Sequence, residues 1–583
     1  MGLYLLDYGA GNVQSLANSL KKLGYSFQWI SNPSDFEKAT SLIFPGVGAF
    51  ETAVANLRSK GLFEPLRQYI LSGKPYFGIC IGMQVLFESS AESPSLGLGI
   101  IPSPVERFED SDKVVPHMGW NAAVPVDPEN QEPPAYYYFV HSYCAKYDPE
   151  KYSEAAQWAY TTTQYGNELF ISAVQRGNVF GSQFHPEKSG HEGLELIKRW
   201  LQTSKSERPS TSASTSTLFR TCSTLFQGLT KWIIVCMNVI VRWLQTSKSE
   251  RPSTSISSRT RSTLIPKDKD RLTKRIIACM DVRTNDEGDL VVTKGDQYDV
   301  REKTTPSAGG QVETAGAVRN LGKPVALAST YYTSGADELC LLNITSFRHS
   351  PLLDQPMLAV VRAAAECVFV PLTIGGGIKD TVDPDGTKHS ALEVASEYFR
   401  AGADKVSLGS DAVYAVERLR ASPDPTKGDG TSAIETIAHA YGRQAVVVSI
   451  DPKRVYVDDP TTYDGPGKDE LIEGKQDSPI ESERARGVEI LGAGELLVNS
   501  IDRDGTGLGF DLDLIRLVRS CVKIPVVASS GAGKAEHFLN VFQETGVEAA
   551  LAAGIFHRKE VGIDQVKECL KDNHVNVRMN VAG

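Results

Sequence analysis

TIGGGI at 373–378 is followed by GADKVSLGS at 402–410, and ASSGAG at 528–533 is followed by GVEAALAAG at 546–554. In each pair, an apolar run ends in glycines and a second run follows after a helical segment, so two halves of one block repeat the same plan. Strand-like and helix-like runs alternate throughout this block. The expected strands lie near Arg275–Val282, Leu339–Thr345, Val370–Gly375, Lys405–Gly409, Ala445–Asp451, Glu495–Ile501, Pro525–Ser530 and Ala549–Phe556. We therefore predict a (β/α)8 barrel over 271–583, with two matching glycine-rich sites.

The block that precedes the barrel, 1–202, also alternates strand-like and helix-like runs. Its N-terminal stretch MGLYLLDYGAG has an early Asp and no basic region, which is typical of a buried strand and not of a signal peptide. The strands are expected at Leu3–Leu6, Ser41–Phe44, Pro75–Ile79, Tyr137–His141, Phe170–Val174 and Val179–Gln183. This pattern predicts a separate α/β domain.

Residues 203–270 form a Ser/Thr-rich linker that contains part of a tandem duplication. RWLQTSKSERPSTS occurs at 199–212 and again at 242–255, so the 43-residue unit 199–241 is copied in 242–284. Two copies, half of each rich in Ser and Thr, cannot build a repeat core, so we favour a duplication in the gene or an error in the gene model. The second copy has Arg275 and Asp281 where the first has Trp232 and Asn238, and we assign the first barrel strand to the second copy.

Composition excludes several classes of function. The net charge of −10 offers no basic field for nucleic acid or an anionic membrane, so we expect neither partner. The apolar run 232–241 is too short to span a membrane. The 9 cysteines never form a CxxC motif, which disfavours disulfides and zinc and favours a reduced, cytoplasmic compartment. We expect no metal, no cofactor and a monomeric chain.

The first domain contains residues of the right kinds for nucleophilic catalysis. FGICIGMQ at 77–84 places Cys80 between glycines at a strand end, where a tight turn into a helix can expose a nucleophile. QFHPE at 183–187 puts His185 two residues before Glu187, so the carboxylate can orient the imidazole as a general base. PGVG at 45–48 offers backbone N–H groups of Gly46, Val47 and Gly48 for an oxyanion hole.

These motifs resemble those of class I glutamine amidotransferases. The resemblance implies that Cys80 attacks the carboxamide of glutamine, releases ammonia and leaves a thioester that water hydrolyses. PHMGWN at 116–121 and VHSY at 140–143 narrow the resemblance to the histidine-biosynthesis branch. That branch implies a glutamine pocket lined by Gln84, Glu92, His141, Ser142 and Tyr143. His117 and Trp120 are expected either in an aromatic surface turn or at an interface with the barrel.

The barrel carries two carboxylates and two sets of glycines at its strand ends. Asp281 follows the first strand and Asp451 the fifth, so they face each other across the barrel mouth and can divide acid and base roles. Backbone N–H groups at the glycine-rich ends can hold phosphates. One set is Gly375, Gly376, Gly377, Gly409 and Ser410, and the other is Gly505, Gly531, Ala553 and Gly554. Two sets in a repeated half-barrel predict a substrate with a phosphate at each end.

The barrel also resembles the cyclase family of imidazole glycerol phosphate synthases, and the domain order resembles the fused eukaryotic form. The motifs are KRIIACMDV, VVTKGD, TIGGGI, GADKVS, AVVVSIDPKR, SIDRDGTGLG and HVNVR. The resemblance implies an open-chain ribulosyl aminoimidazole carboxamide nucleotide with two phosphates as the substrate. It implies assistance by Lys294, support by Asp504 and an ammonia gate at the opposite end of the barrel. The gate residues would be Arg275, Glu338, Lys405 and Glu495, with an ordinary surface salt-bridge set as the alternative.

Two residues depart from the bacterial pattern of this family, namely Asn343 in place of a common Asp and Gly409 in place of a phosphate-binding Asn. Two other functions stay open at this point. One is a sugar isomerase of the sister barrel family fused to a glutaminase, because that family also has two half-barrels, two phosphates and two Asp residues. The other is a catalytically inactive scaffold protein, because the linker looks damaged.

Overall fold

Two large β-sheets organise the chain, one in each predicted block, and their strands follow the apolar runs of the sequence. The computed structural model describes residues 2–9, 11–46, 48–127, 134–203, 272–285, 289–293, 320–344, 351–453 and 480–579. The described residues all belong to one compact unit. The linker predicted over 203–270 lies outside them, except that Thr203 still ends a helix.

The first domain is built on a nine-stranded mixed sheet and a smaller second sheet. Its strands are β1 (Leu3–Leu6), β2 (Gln28–Ile30), β3 (Ser41–Phe44), β4 (Tyr76–Ile79), β5 (Phe87–Ser90), β6 (Ser93–Leu96), β7 (Ile101–Arg107), β8 (His117–Pro125), β9 (Ala135–His141), β10 (Tyr143–Cys144), β11 (Ala159–Tyr165), β12 (Glu168–Arg176) and β13 (Val179–Ser182). Its helices are α1 (Gln14–Lys22), α2 (Asp35–Lys38), α3 (Phe50–Ser59), α4 (Phe63–Leu71), α5 (Ile81–Gln84), α6 (Ser153–Ala156) and α7 (Gly190–Thr203), with a 3-10 turn at Pro186–Lys188.

The order of the large sheet is β2-β1-β3-β4-β13-β12-β11-β8-β9. In this order, neighbouring strands are parallel from β2 to β13. Neighbouring strands are antiparallel from β13 to β9. All six strands predicted for this domain are present, which confirms the α/β architecture.

The second domain is a closed barrel. Its strands are β14 (Arg275–Thr284), β15 (Leu290–Thr293), β16 (Glu338–Asn343), β17 (Leu372–Gly375), β18 (Thr381–Val382), β19 (Lys388–His389), β20 (Lys405–Leu408), β21 (Val446–Ile450), β22 (Glu495–Asn499), β23 (Val526–Ser529) and β24 (Ala549–Ala552). Its helices are α8 (Pro324–Thr333), α9 (Pro356–Cys367), α10 (Ala391–Ala401), α11 (Ser410–Ala421), α12 (Ala433–Tyr441), α13 (Ile480–Leu491), α14 (Leu512–Cys521), α15 (Ala535–Thr545), α16 (Gly554–His557) and α17 (Ile563–Asp572), with 3-10 turns at Leu352–Asp354 and Arg443–Ala445.

Within the described residues, eight parallel strands form the barrel in the order β14, β16, β17, β20, β21, β22, β23 and β24, and β24 pairs with β14 to close it. This confirms the (β/α)8 prediction and the assignment of the first strand to the second copy of the duplication. The last strand was predicted too long. It ends at Ala552, because Ala553 leaves the extended conformation and α16 begins at Gly554.

The two domains share one apolar core. Met118, Trp120 and Tyr138 of the first domain belong to the same cluster of buried side chains as the barrel shell. They lie on β8 and β9, whose register pairs Trp120 with Tyr138. The surface turn considered for His117 and Trp120 is therefore wrong, since both residues lie on a buried strand.

Candidate active sites

The nucleophile candidate Cys80 sits in a sharp turn between β4 and α5. Its φ of 51° is in the left-handed region, which is strained for a residue with a side chain. The turn needs small neighbours: a Cβ on Gly78 would lie 2.2 Å from the carbonyl oxygen of Gly82, and a Cβ on Gly82 would lie 2.2 Å from that of Phe44. Glycines at 78 and 82 therefore permit the backbone that presents Cys80.

His185 and Glu187 form the acid–base pair expected beside the thiol. His185 Nδ1 lies 2.8 Å from Glu187 Oε1, and both side chains are buried. Burial lowers the pKa of His185, but interactions with the Glu187 carboxylate and, to a smaller extent, with the Cys80 sulfur raise it to about 10. The imidazole thus holds its proton beside the sulfur, as a proton donor to a leaving amine requires.

The predicted oxyanion segment lies against this turn. A Cβ on Gly46 would be 2.6 Å from the Cβ of Ile81 and 2.8 Å from the backbone N of Gly82, so Gly46 packs directly on the start of α5. Gly48 has a φ of 144°, which favours glycine. Val47 lies outside the described residues.

The residues predicted to bind glutamine are connected to the nucleophile by hydrogen bonds. Gln84 Nε2 donates to the carbonyl of Tyr143 at 3.0 Å and to Gln183 Oε1 at 3.0 Å. Gln183 Nε2 in turn lies 3.5 Å from Cys80 Sγ. His141 Nδ1 lies 2.8 Å from the same Tyr143 carbonyl. The motif quoted around His185 contained Gln183, but nothing in the sequence showed that its amide contacts the thiol.

Two further predicted pocket residues lie beside these. Glu92 Oε2 accepts a hydrogen bond of 2.8 Å from the backbone N of Phe50, and burial raises the pKa of Glu92. Ser142 is buried, and its carbonyl accepts a hydrogen bond of 3.0 Å from Phe108 N.

The two barrel carboxylates lie at the carboxyl ends of strands 1 and 5. Asp281 lies in the C-terminal half of strand β14, in register with Thr293 of β15, and Asp451 directly follows β21. Asp451 is held by Asn499 Nδ2 at 2.8 Å from its Oδ1 and by Ser449 Oγ at 3.1 Å. Asn499 ends the neighbouring strand β22, a placement that only the barrel topology reveals.

The first predicted phosphate site lies at the ends of the adjacent strands β17 and β20. Gly376 has a φ of 87°, and a Cβ there would be 2.0 Å from the carbonyl oxygen of Asn343. Gly377 also has a positive φ, of 79°. Gly409 precedes Ser410, the first residue of α11, so backbone N–H groups of a 12-residue helix open at this point.

The second predicted phosphate site has the same layout at β23 and β24. Gly531 follows β23, and Ala553 precedes Gly554, where α16 begins. The loop that carries Asp504 and Gly505 is tied to this site, because Gly509 N donates to the carbonyl of Gly531 at 2.7 Å. Lys294 lies outside the described residues.

The four predicted gate residues form a closed ring at the opposite, amino-terminal end of the barrel. Arg275 pairs with Glu338 at 2.8 Å and with Glu495, and Lys405 pairs with Glu338 at 2.6 Å and with Glu495 at 2.5 Å. Each side chain is at most 2% exposed, so the ordinary surface salt-bridge alternative is wrong. Thr373 Oγ1 adds a hydrogen bond of 2.6 Å to Glu338.

The first domain covers this ring. Met118 Sδ lies 3.6 Å from Lys405 Nζ, and Trp120 Nε1 donates to the carbonyl of Asp337 at 3.3 Å. Lys188, three residues after His185, pairs with barrel Asp404 at 2.7 Å. The glutaminase candidate site and the closed end of the barrel therefore face one another.

Comparisons with known proteins match this architecture. The family described as class-I glutamine amidotransferase matches residues 4–202, and the family described as histidine biosynthesis protein matches residues 275–562. A Schizosaccharomyces pombe relative, imidazole glycerol phosphate synthase hisHF, is 47% identical, with 98% of this chain and 99% of the relative covered. The protein of that name from Emericella nidulans is 45% identical over 99% of this chain and 98% of its own. An Arabidopsis thaliana relative, named as the chloroplastic form, is 46% identical over 99% of this chain and 89% of its own.

Fold and sites together define a glutamine amidotransferase fused to a histidine-biosynthesis barrel enzyme. The assembled Cys80, His185 and Glu187, with the two barrel carboxylates, argue against an inactive scaffold. More narrowly, the chain belongs to the imidazole glycerol phosphate synthase family in its fused form. The full-length relatives bear the synthase name, which decides against the sister-family sugar isomerase.

Proposed function

We propose that this enzyme makes imidazole glycerol phosphate with ammonia that its first domain releases from glutamine. The other products are glutamate and aminoimidazole carboxamide ribonucleotide, and the second substrate is the ribulosyl aminoimidazole carboxamide nucleotide with two phosphates. The observation that carries this proposal is the closed ring of Arg275, Glu338, Lys405 and Glu495, covered by the glutaminase sheet. It supports a protected route for ammonia between two sites in one molecule.

In the first site, the Cys80 thiolate attacks the carboxamide carbon of glutamine. His185, whose raised pKa keeps it protonated, gives its proton to the leaving nitrogen, so ammonia departs and a thioester stays on Cys80. His185 then takes a proton from water, which hydrolyses the thioester to glutamate. Glu187 holds the imidazole in place throughout, and backbone N–H groups of 46–48 stabilise the oxyanion.

In the second site, the phosphates of the substrate bind at the two glycine-rich sets and stretch it across the barrel mouth. One set is around Gly376, Gly377, Gly409 and Ser410; the other is around Asp504, Gly505, Gly531, Ala553 and Gly554. Ammonia attacks the open chain, which then cyclises and cleaves. Asp281 and Asp451 move the protons, since they sit on opposite strands of the barrel. Lys294 assists at the substrate.

A protected route matters because ammonia in bulk water at neutral pH becomes ammonium, which has no free electron pair to attack with. The charged ring closes the amino-terminal end of the barrel with four buried charges. Burying charges is costly unless they are fully paired, and here each acid contacts both bases. We assign this ring the role of a gate for ammonia.

The proposal also covers the oligomeric state and the cellular compartment of the enzyme. The interface of glutaminase and barrel lies within one chain, and we propose that the chain acts as a monomer in the cytoplasm. No helix in the described part of the chain has the length and apolar character needed to cross a membrane. Light scattering of the pure protein and a fluorescent fusion test the two assignments.

An isotope experiment tests the proposed function. The full chain receives glutamine labelled with ¹⁵N in its amide, the nucleotide substrate and an excess of unlabelled ammonium. We expect most of the imidazole product to carry ¹⁵N, because the ammonia passes inside the molecule. After the rate of direct ammonium-dependent synthesis is subtracted, a labelled fraction no higher than that of the bulk ammonia pool would show that the nitrogen equilibrates with bulk solvent.

Cys80→Ala is the matched control for this experiment. It should form no product from glutamine and should form product normally from ammonium, since only the thioester step uses the thiol. Loss of both activities in a folded variant would contradict the two-site scheme.

A further inference from the structure

Two buried histidines, His117 and the predicted pocket residue His141, take no part in the proton transfers above. His117 on β8 and His141 on β9 face each other in register, with His117 Nδ1 3.1 Å from His141 Nε2. The His117 ring is stacked between Tyr165 and Phe139, with ring centroids 4.1 and 4.9 Å away. The side chains of both histidines are almost fully buried, so their ring nitrogens must find partners in the protein.

One end of this pair is fixed by Asn121. Its Oδ1 accepts from the backbone N of Ala122 at 2.8 Å, and its Nδ2 donates to the carbonyl of Gln164 at 3.1 Å. The amide therefore has only one orientation, which directs Nδ2 toward His117 Nε2 at 3.2 Å. His117 Nε2 must accept, so the proton of the neutral ring is on Nδ1 and points at His141.

The other end is fixed by the carbonyl of Tyr143, which can only accept. His141 Nδ1 lies 2.8 Å from it and must carry a proton, so His141 Nε2 in the neutral ring is free to accept from His117. The two ends therefore assign the same direction to the bond between the histidines. A reversed bond would place two acceptors or two donors against each other at one end.

The surroundings favour the neutral form of both rings. Burial lowers the pKa of His141 to about 3; the hydrogen bond to the Tyr143 carbonyl opposes this shift, and the nearby charge of His185 adds a smaller lowering effect. Burial lowers the pKa of His117 far below its ordinary value, and the charges of His141 and Lys113 act in the same direction.

The chain of hydrogen bonds continues from Tyr143 to the nucleophile. The Tyr143 carbonyl accepts from Gln84 Nε2 as well as from His141. Gln84 Nε2 also donates to Gln183 Oε1, and this turns Gln183 Nε2 toward Cys80 Sγ. Each amide in the series has its orientation set by the group before it.

We propose that His117 and Asn121 are positioning residues for the glutamine step, which fix His141 in one tautomer and thereby hold the Tyr143 carbonyl and the Gln84 amide in place. The inference rests on the proposed function, because it deepens the role of the glutamine pocket. Neither residue contacts the reacting atoms. Their effect reaches glutamine through the segment 141–143 and through Gln84.

A purely structural role makes a different prediction. The ring stack around His117 would be served by any flat or apolar side chain of similar volume. The positioning role instead needs a donor at the place of Nδ1, because a buried acceptor that loses its donor is costly to leave unpaired. The difference can be measured by two polar substitutions of similar size.

His117→Asn and His117→Gln form the matched pair. The amide of Asn lies where Nδ1 of the histidine was and can donate to His141, whereas the amide of Gln reaches the Nε2 position and leaves His141 without its donor. Glutamate release is measured on the full chain with saturating nucleotide. We expect the KM for glutamine to stay within about 3-fold in H117N and to rise about 10-fold in H117Q, with smaller changes in kcat.

Phe170→Leu is the packing control, since Phe170 contacts both rings in the same cluster but forms no hydrogen bond with them. It should lower the melting temperature and leave the KM for glutamine near that of the parent. Equal KM values in H117N and H117Q, or a rise in Phe170→Leu as large as in H117Q, would overturn the proposal. If H117Q does not fold, His141→Asn and His141→Gln provide the same comparison at the Tyr143 carbonyl, with the same two outcomes.

Ammonium-dependent synthesis by each variant separates this inference from the proposed function. It should stay at the parent rate in both His117 variants, because the barrel is untouched. A parent enzyme that makes no product from glutamine would refute the proposed function, whatever the His117 variants do. If the parent enzyme makes product from glutamine but H117N and H117Q have the same KM for glutamine, only the positioning role is refuted.

Discussion

His185 shows how a single residue acquires its chemistry from its neighbours. Burial alone would drive the proton off the imidazole, yet Glu187 on one side and the Cys80 sulfur on the other favour the charged form more strongly. The balance of these opposing effects places the pKa of His185 at about 10. In the proposed mechanism, the residue is therefore ready to give a proton at neutral pH and takes one back only in the thioester step, where the sulfur no longer carries charge.

Glu187→Gln should make this balance visible in the pH dependence of glutaminase activity. The pKa of His185 is raised in the native enzyme, so activity should fall only as the pH rises toward about 10. Removal of the Glu187 charge lowers that pKa, and the alkaline limb should move to lower pH. The measurement is glutamate release against pH with saturating nucleotide. Glu192→Gln, on the nearby helix α7, is the control and should leave the limb in place; a limb unmoved in E187Q would contradict the assignment.

At the barrel mouth, variants of Asp451 and Asn499 should distinguish a residue that transfers protons from a residue that only positions it. Asp451→Asn removes the proposed proton carrier and should slow ammonium-dependent synthesis by roughly 10²- to 10⁴-fold. Asn499→Ala removes the hydrogen bond of 2.8 Å to Asp451, together with one of 3.0 Å to Ser449 Oγ, and should cost about 10-fold. Asn573→Ala, at the exposed end of α17, is the control. Rates in D451N close to those of the parent would remove Asp451 from the mechanism.

Among the secondary-structure elements, the turn between β4 and α5 shows the strongest link between sequence and function. GxCxG predicted it because a nucleophile in a strained turn needs neighbours without a Cβ. The structure adds the specific obstacles, namely the carbonyl oxygens of Gly82 and Phe44. The same reasoning explains the glycines at 376 and 531, where a Cβ would meet the carbonyl oxygens of Asn343 and Gly509.

Gly82→Ala tests the steric argument for this turn. Because its Cβ would lie 2.2 Å from the carbonyl oxygen of Phe44, we expect the variant to lose about 1–3 kcal/mol of stability and most glutamine-dependent activity. Gly177→Ala is the comparison, since no atom lies within 4 Å of its added Cβ. Gly177 has a positive φ of 57°, so the variant should lose about 1–2 kcal/mol of folding stability without loss of activity. Full glutamine-dependent activity in G82A would show that the turn tolerates a larger residue.

The elements that could be predicted from the sequence are those whose signals are local. Parallel barrel strands are continuous apolar runs, so all eight were found, although α16 was merged into the last of them. β8 was missed because His117 and Asn121 look like surface residues in the sequence. Their burial depends on partners from β9 and from Gln164, which are distant in the chain.

The same distinction applies to the candidate sites. The triad and the glycine sets lie in short motifs, and the structure brings their members together. Gln183, Asn499 and Thr373 were not predicted, because a hydrogen bond to Cys80, Asp451 or Glu338 is a consequence of tertiary structure and leaves no spacing pattern.

On the scale of the whole molecule, the two domains meet through one sheet with two functional faces. Residues of β8 alternate in direction, so Met118 and Trp120 contact the barrel while His117 and Asn121 face the interior of the glutaminase. Tyr138 on β9 belongs to the barrel cluster, and His141 at the end of the same strand begins the predicted glutamine segment 141–143. The face that closes the charged ring and the face that shapes the first site therefore belong to the same two strands.

The duplicated unit gives the last prediction, which concerns the chain as a whole. Deletion of 199–241 joins Lys198 to Arg242. Because RWLQTSK is identical in both copies, the second copy then supplies the end of α7 with an unchanged sequence. The buried side chains of Trp200 and Leu201 are replaced by the same residue types. The barrel keeps β14 with Arg275 and Asp281. We therefore expect full glutamine-dependent activity and higher solubility, since the apolar run 232–241 is removed.

Deletion of the second copy, 242–284, removes the same number of residues and is the matched control. It leaves the first copy to supply the strand, with Trp232 in place of Arg275 and Asn238 in place of Asp281. The ring then lacks one base, so Glu338 and Glu495 lose a partner that is costly to remove from a buried site. The mouth lacks one carboxylate, so synthesis should fail with ammonium as well as with glutamine. The measurements are the solubility of the two deletion variants and their activities with glutamine and with ammonium. If the variant that lacks 199–241 folds but loses cyclase activity, the first copy belongs to the working barrel.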